Sequence, residues 1–295
     1  MQLTISPSRF LPDSLARLDD TMWHNVLSQF AADPQAIQNY QALKYSPTVE
    51  VFRGRLTWPD GGLDIIAKLH RPGGASLQRW GGQIATLLRG TRARRNLHRT
   101  CALLAAGVNT ARPVAIVESS GKTPHSIFVT EFLDGLVDLD QIVLSLLPRL
   151  DTTRRHGIKK ALIECVANLF ARLHRSGWRH RDLKASNILL KNWNGAGGPP
   201  TAWLVDLDGL RRRLPWEPLI DRAALIRLVA SLWGYQSATR TDLARFLERY
   251  LRAVGGPDAT WRELFRAIVA GARAYQQRSA RRKHGKLDVY GTAPR

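Results

Sequence analysis

With 295 residues, 44% of them hydrophobic among mixed charges, the chain is long enough for one large or two-lobed domain and is not a disordered one. Its formal net charge of +20 sets up a field that attracts polyanions: nucleic acid, anionic lipid head groups or phosphorylated sugars. The longest apolar runs, such as 142–147, are too short to span a bilayer, and the first residues lack the charged start and apolar core of a secretory signal, so the expected location is the cytoplasm.

Residues 13–43 carry helical periodicity in Leu15, Leu18, Met22, Val26 and Phe30, which predicts an N-terminal helical extension over 1–44. Residues 49–58 then alternate, Pro59-Asp60-Gly61-Gly62 is a turn, and 63–69 resumes as a strand carrying Lys68 near its end. No Asp or Glu occurs from 65 to 117, whereas Lys68, Arg71, Arg79, Arg89, Arg92, Arg94, Arg95, Arg99 and Arg112 all fall there. A segment of one sign reads as a polyanion-facing surface, against the plainer alternative of an arginine-rich composition. A helix over 92–106 stopped by Gly107, and strands over 113–118 and 126–132, complete a small sheet with one helix.

A boundary falls near 132–135, and the rest is mainly helical. Ile158, Leu162, Cys165, Val166, Leu169, Phe170 and Leu173 share one helical face that ends near Ser176-Gly177. Strands over 187–190 and 202–206 flank a Gly/Pro-rich loop, 192–200. Leu243, Phe246, Leu247, Tyr250 and Leu251 form a further apolar face behind Thr241 as N-cap, and Trp261, Leu264, Phe265, Ile268 and Val269 another. From residue 278 the chain is basic and patternless. Cys101 and Cys165 read as packing thiols, and His70, His98, His174 and His284 lack metal-ligand spacing. The expected class is α+β, with a mainly-β part over 45–132, a mainly-α part over 133–277 and a tail over 278–295.

The chemistry concentrates in His180-Arg181-Asp182-Leu183-Lys184-Ala185-Ser186-Asn187. Phosphoryl transfer needs an aligned nucleophile, metal ions on the nucleotide phosphates and cations for the equatorial oxygens. Asp182 suits the orientation of an acceptor hydroxyl, and Lys184 reaches the transferred group. Asn187 is a Mg²⁺ ligand at the right offset, and Asp206, after the second strand, suits the bridging Mg²⁺. Lys68 suits the α and β phosphates of ATP. His180 and Arg181 read as scaffold, and Arg211-Arg212-Arg213 as either a contact to an anionic acceptor or a solvated turn.

At these residues the chain resembles the protein-kinase-like superfamily. Within it, three stretches are similar to the lipopolysaccharide core heptose and Kdo kinases. They are Leu103-Leu104-Ala105-Ala106-Gly107-Val108-Asn109-Thr110-Ala111-Arg112-Pro113, then Asp206-Leu207-Asp208 in place of Asp-Phe-Gly, and Asp221-Arg222-Ala223-Ala224-Leu225 with the helix over 245–251. The resemblance implies a two-lobed protein-kinase-like fold over about 45–255, with a small mainly-β lobe and a mainly-α lobe. It also implies an ATP- and Mg²⁺-dependent kinase, an anionic glycolipid acceptor and peripheral association with the inner face of the cytoplasmic membrane. Asp221 would brace the catalytic loop from beneath, and Glu131 would lie near the adenine.

Two departures from that pattern stand out. The nucleotide lysine of the family pairs with a helix Glu, but the register set by Gly107 puts Asn96 there, leaving Asn96 or Gln83 as a neutral acceptor. Residues 44–49 hold no glycine where a phosphate loop is expected, so Ser46 and Thr48 are the substitutes. The competing readings are a protein or small-molecule kinase of the same fold, and a non-catalytic scaffold on a polyanion, with nucleic acid retained as a partner class.

Overall fold

Six antiparallel strands form the sheet of the N-terminal unit: β1 (Gln2–Ile5), β2 (Gln38–Ser46), β3 (Val49–Trp58), β4 (Gly61–His70), β5 (Pro113–Ser119) and β6 (His125–Glu131). Their spatial order is β1-β5-β6-β4-β3-β2. The structure is a computed structural model that describes residues 2–5, 10–11, 15, 23, 37–59, 61–71, 91–119, 125–255 and 261–290. The chain divides into two compact units, Met1–Asp134 and Gly135–Arg295. Alternation sorts the strand residues between two faces. Phe52, Leu56, Ile65, Ala67, Leu69, Ile127 and Val129 fill one core, each large side chain contributing about 1.5–3 kcal/mol by leaving water. On the other face, Ile116 and Phe128 pack with Ala93 and Leu97 of α1 (Arg92–Ala105). Thr91 caps that helix by accepting the Arg94 N–H, and Gly107, at φ +69°, lets the chain leave it.

The expected N-terminal helical extension is corrected at both ends, because Gln2–Ile5 pairs with β5 and Gln38–Ser46 pairs with β3. The second of these is an edge strand exposed on both faces, so it carries no apolar alternation to read. Of the residues between, Leu15 and Trp23 are buried in the sheet core, and the remaining positions of that periodicity lie outside the described residues.

The C-terminal unit begins with β7 (Val137–Asp138) and an irregular helical stretch over 139–149. The helix α2 (Thr152–Arg175) follows, with β8 (Trp178–His180), β9 (Ile188–Lys191), β10 (Thr201–Leu204) and β11 (Leu210–Arg212). It closes with α3 (Arg222–Leu232), α4 (Arg240–Val254) and α5 (Trp261–Tyr290). The apolar face of α2 packs along α4, and α3 along α5. The cap of α4 is Thr239, not Thr241: its hydroxyl accepts the Asp242 N–H while the Asp242 carboxylate accepts the Thr239 N–H. Lys159 of α2 forms an ion pair with the same carboxylate. The helix α5 continues through the basic residues after 278 to Tyr290; extending an existing helix costs little where Arg, Lys and Gln are good formers.

Candidate active site

Local turns and strand pairings in the C-terminal unit bring the loop over 180–187 and Asp206 into one constellation. The β9–β10 register ends at Ile188 opposite Leu204, and the Val205 N–H donates to the Asn187 carbonyl at 3.0 Å. Asn187 therefore lies beside Val205, the neighbour of Asp206. Its Nδ2 donates to the Asp182 carbonyl at 2.8 Å. The Asp182 N–H donates to Nδ1 of His180 at 3.2 Å, and His180 Nε2 donates to the Asp206 carbonyl at 2.9 Å. A closed ring results, running Asp182–His180–Asp206–Val205–Asn187 and back to Asp182.

The ring fixes the chemistry of its members. His180 is fully buried, and burial holds its pKa below the usual value. Nδ1 accepts and Nε2 donates, so the ring requires the neutral imidazole. Asp206 sits in left-handed backbone at φ +56°, ψ +62°, uncommon for a residue other than glycine. Gly209 follows, and a Cβ there would stand 3.1 Å from the Asp182 nitrogen and 3.2 Å from His180 Cε1, so the loop seats directly on it. Its carbonyl accepts the Arg181 N–H at 2.9 Å, while the Arg181 side chain is exposed.

The Asp182 side chain is 57% exposed, and Lys184 Nζ lies 3.4 Å from its Oδ2. Asn187 spends its amide nitrogen on Asp182, leaving Oδ1 with no hydrogen bond from any described residue. An Asn oxygen and the Asp206 carboxylate fit a hard cation that takes its remaining ligands from water and phosphate. Among the described residues no cluster of His, Cys, Asp and Glu forms an all-protein metal cage.

Beneath the loop, the Ala185 N–H donates to Ser231 Oγ at 2.9 Å. Asp221 does not reach the loop directly. It caps α3 by accepting the Ala224 N–H and lies 3.9 Å from the guanidinium of Arg179, the residue before His180. His174, buried in α2, contacts the Tyr250 hydroxyl at 2.7 Å and is pushed down to about 4 by burial.

In the N-terminal unit, Lys68 pairs in register with Phe128. Directly opposite residues of an antiparallel pair share a face, so Lys68 lies on the face covered by α1. Asn96 is buried on α1, with Arg99 donating to its Oδ1 at 3.4 Å. Ser46 spends its hydroxyl on the Val49 N–H and carbonyl of its own turn. Glu131 accepts both the backbone N–H and the side chain of Arg112, each at 2.9 Å.

The sequence pattern of the "Lipopolysaccharide kinase (Kdo/WaaP) family" matches residues 82–250, more than half of the chain. The chain belongs to this family. It is 30% identical over 189 residues to the lipopolysaccharide core heptose(I) kinase WaaP of Pseudomonas aeruginosa. That match covers 63% of this chain and 66% of the relative, just under two thirds of it. A solved structure of WaaP in complex with acyl carrier protein superposes with a TM-score of 0.60 at 26% identity, covering 96% of this chain and 99% of that one. The two-lobed, kinase-like α+β expectation therefore holds for this family member.

The one-sign segment reads differently in three dimensions. Arg71 pairs with Glu50, Arg94 with Glu118 and Arg112 with Glu131, each carboxylate coming from outside the 65–117 window. Folding returns to these arginines the counter-charges their sequence neighbours lack. Arg79, Arg89 and Gln83 lie outside the described residues. Arg211 and Arg213 are likewise committed, both bonding Glu217, and Arg212 stacks 4.1 Å over Trp178. The residues missed from sequence are Arg179 and Glu217, whose only signal was a charge of each sign on either side of the loop and Asp206.

Proposed function

We propose that the chain phosphorylates a sugar hydroxyl of a lipopolysaccharide-type glycolipid, using ATP and Mg²⁺ at the inner face of the cytoplasmic membrane. The observation that carries this reading is the hydrogen-bonded ring, which gathers an exposed carboxylate with an ammonium 3.4 Å from it, an amide oxygen and a second aspartate on one loop system. Mg²⁺ would sit on Asn187 Oδ1 and the Asp206 carboxylate and supply charge neutralisation at the nucleotide phosphates. Asp182 accepts a hydrogen bond from the acceptor hydroxyl and orients it. Lys184 offers its ammonium to the transferred phosphoryl group, and Lys68 offers its own to the α and β phosphates. Asn96 stands where the family's acidic partner of Lys68 would be.

The test is incubation of purified protein with ATP and core oligosaccharide, with and without Mg²⁺, read by mass spectrometry of the glycan. Phosphate on the sugar, lost on chelation, is the expected result. Phosphorylation of protein with an unmodified glycan would overturn it.

A second partner is favoured by one feature of the C-terminal unit. A cavity of about 450 Å³ is lined by Leu139, Val143, Leu162, Leu228, Leu232 and Phe246, with Arg240 and Arg273 among its polar lining. That shape and polarity suit an acyl chain beside an acidic carrier, in keeping with the carrier protein bound to the solved relative. Co-elution with acylated but not unacylated carrier protein is the expected outcome.

A further inference from the structure

The segment after β11 presents apolar side chains to water from a turn that is otherwise tightly held. Trp216 is 79% exposed, Leu214 42% and Leu219 37%. The turn closes through the Glu217 N–H to the Leu214 carbonyl at 3.0 Å, while the Leu214 N–H donates to the Glu217 carboxylate at 2.8 Å. Arg211 takes the same carboxylate with both terminal nitrogens, Arg213 donates to the Glu217 carbonyl, and Arg179 to the Pro218 carbonyl. Trp216 itself makes no hydrogen bond or ring contact among the described residues. Three arginines thus order the backbone of a turn whose indole is mostly in water.

We infer that the 214–219 turn is a membrane anchor, which lowers Trp216, with Leu214 and Leu219 beside it, into the head-group layer of an anionic bilayer. Three features select a bilayer as the occupant. Indole prefers the interfacial layer, where its ring is partly buried and its N–H remains hydrated. Arg212 and Arg222, which flank the turn in the chain, are exposed and supply positive charge suited to anionic head groups. Glu217, the carboxylate within the turn, is held ionised by its Arg211 ion pair, which lowers it to about 2, and so presents no unpaired negative charge to the lipid. A turn already ordered loses little freedom on insertion. No described helix is long and apolar enough to cross a membrane. The turn follows β11, which pairs with β8 at Leu210 and His180, so docking here would hold the catalytic ring at the lipid surface. This extends the proposed function, in which the acceptor is a glycolipid.

Vesicle flotation of the full chain tests the anchor, using phosphatidylcholine alone and with roughly 30% phosphatidylglycerol. Trp216→Ser should weaken partition into the anionic vesicles about tenfold at an unchanged melting temperature, while Tyr275→Ser, on an exposed residue of α5, should change it less than about twofold. Trp216→Phe should keep most of the binding but remove the blue-shifted emission that the wild type gains on vesicles. Unchanged partition of Trp216→Ser overturns the inference. So does a loss confined to carrier-protein capture or self-association, which would assign the turn to a protein partner. These vesicles contain neither nucleotide nor acceptor, so anchoring can hold while glycolipid phosphorylation fails, and each result is read separately.

Discussion

The loop over 180–187 in the C-terminal unit and strand β4 in the N-terminal unit bear charged groups on different kinds of support. In the first, a buried neutral histidine ties Asp182 to Asp206, and Asn187 closes the ring. In the second, Lys68 projects from a central strand, the nearby helix offers a neutral Asn96, and Ser46 is consumed by its own turn. The first arrangement fixes positions through backbone hydrogen bonds, each of which is cheap to keep and expensive to break when buried. The second relies on the sheet for placement and on no acidic residue of its own helix. The difference teaches that the loop over 180–187 is held by buried backbone hydrogen bonds, whereas the position of Lys68 is set by its strand.

The largest break in that comparison is Asp182→Ala. Turnover should fall about 10³-fold, since positioned acid–base groups contribute 10²–10⁴, and the melting temperature should stay unchanged because the side chain is mostly in water. Retained turnover at a retained melting temperature would reduce the ring to scaffolding. Lys68→Met sharpens the other side. Loss of one charge-assisted contact should lower kcat/KM for ATP by about 10–100-fold, mainly through KM, as measured in initial-rate kinetics.

A third test reads the ring and its neighbours through pH. His174 and His180 are both held neutral by burial, their folded pKa values lying below those of the unfolded chain. A depressed histidine contributes stability that is present above its unfolded value and lost as pH falls through its folded value. For His174 the window runs from about 6.5 down to about 4, and the loss is roughly 3 kcal/mol. Thermal melts should therefore decline over that range, and His174→Phe should flatten the decline. The smallest expected effect is Thr239→Ala, which removes the hydroxyl of the α4 capping box and should cost about 1 kcal/mol in denaturant unfolding, with no change in kinetics.

The contiguous part of the site was legible in the sequence. The spacing of Asp182, Lys184 and Asn187 is set by a short loop between two strands, and the alternation in 49–58 and 63–69 set the hairpin that carries Lys68. Helix periods in 158–173 and 243–251 were equally plain, because one buried face needs a 3.6-residue repeat. Edge strand β2 was not legible, since a strand exposed on both faces leaves no such repeat.

What tertiary structure alone decided was which charges meet. From sequence, 65–117 is a field of unrelieved positive charge; in the folded chain, Glu50, Glu118 and Glu131 arrive on strands from outside that window and pair with Arg71, Arg94 and Arg112. The same holds for Arg211 and Arg213, which folding commits to Glu217 while leaving Arg212 and Trp216 exposed. The sequence by itself determined the chemical groups and their local spacing, because backbone geometry is local. Their partners, and so their effective charge and exposure, depended on long-range pairing that no window of neighbouring residues contains.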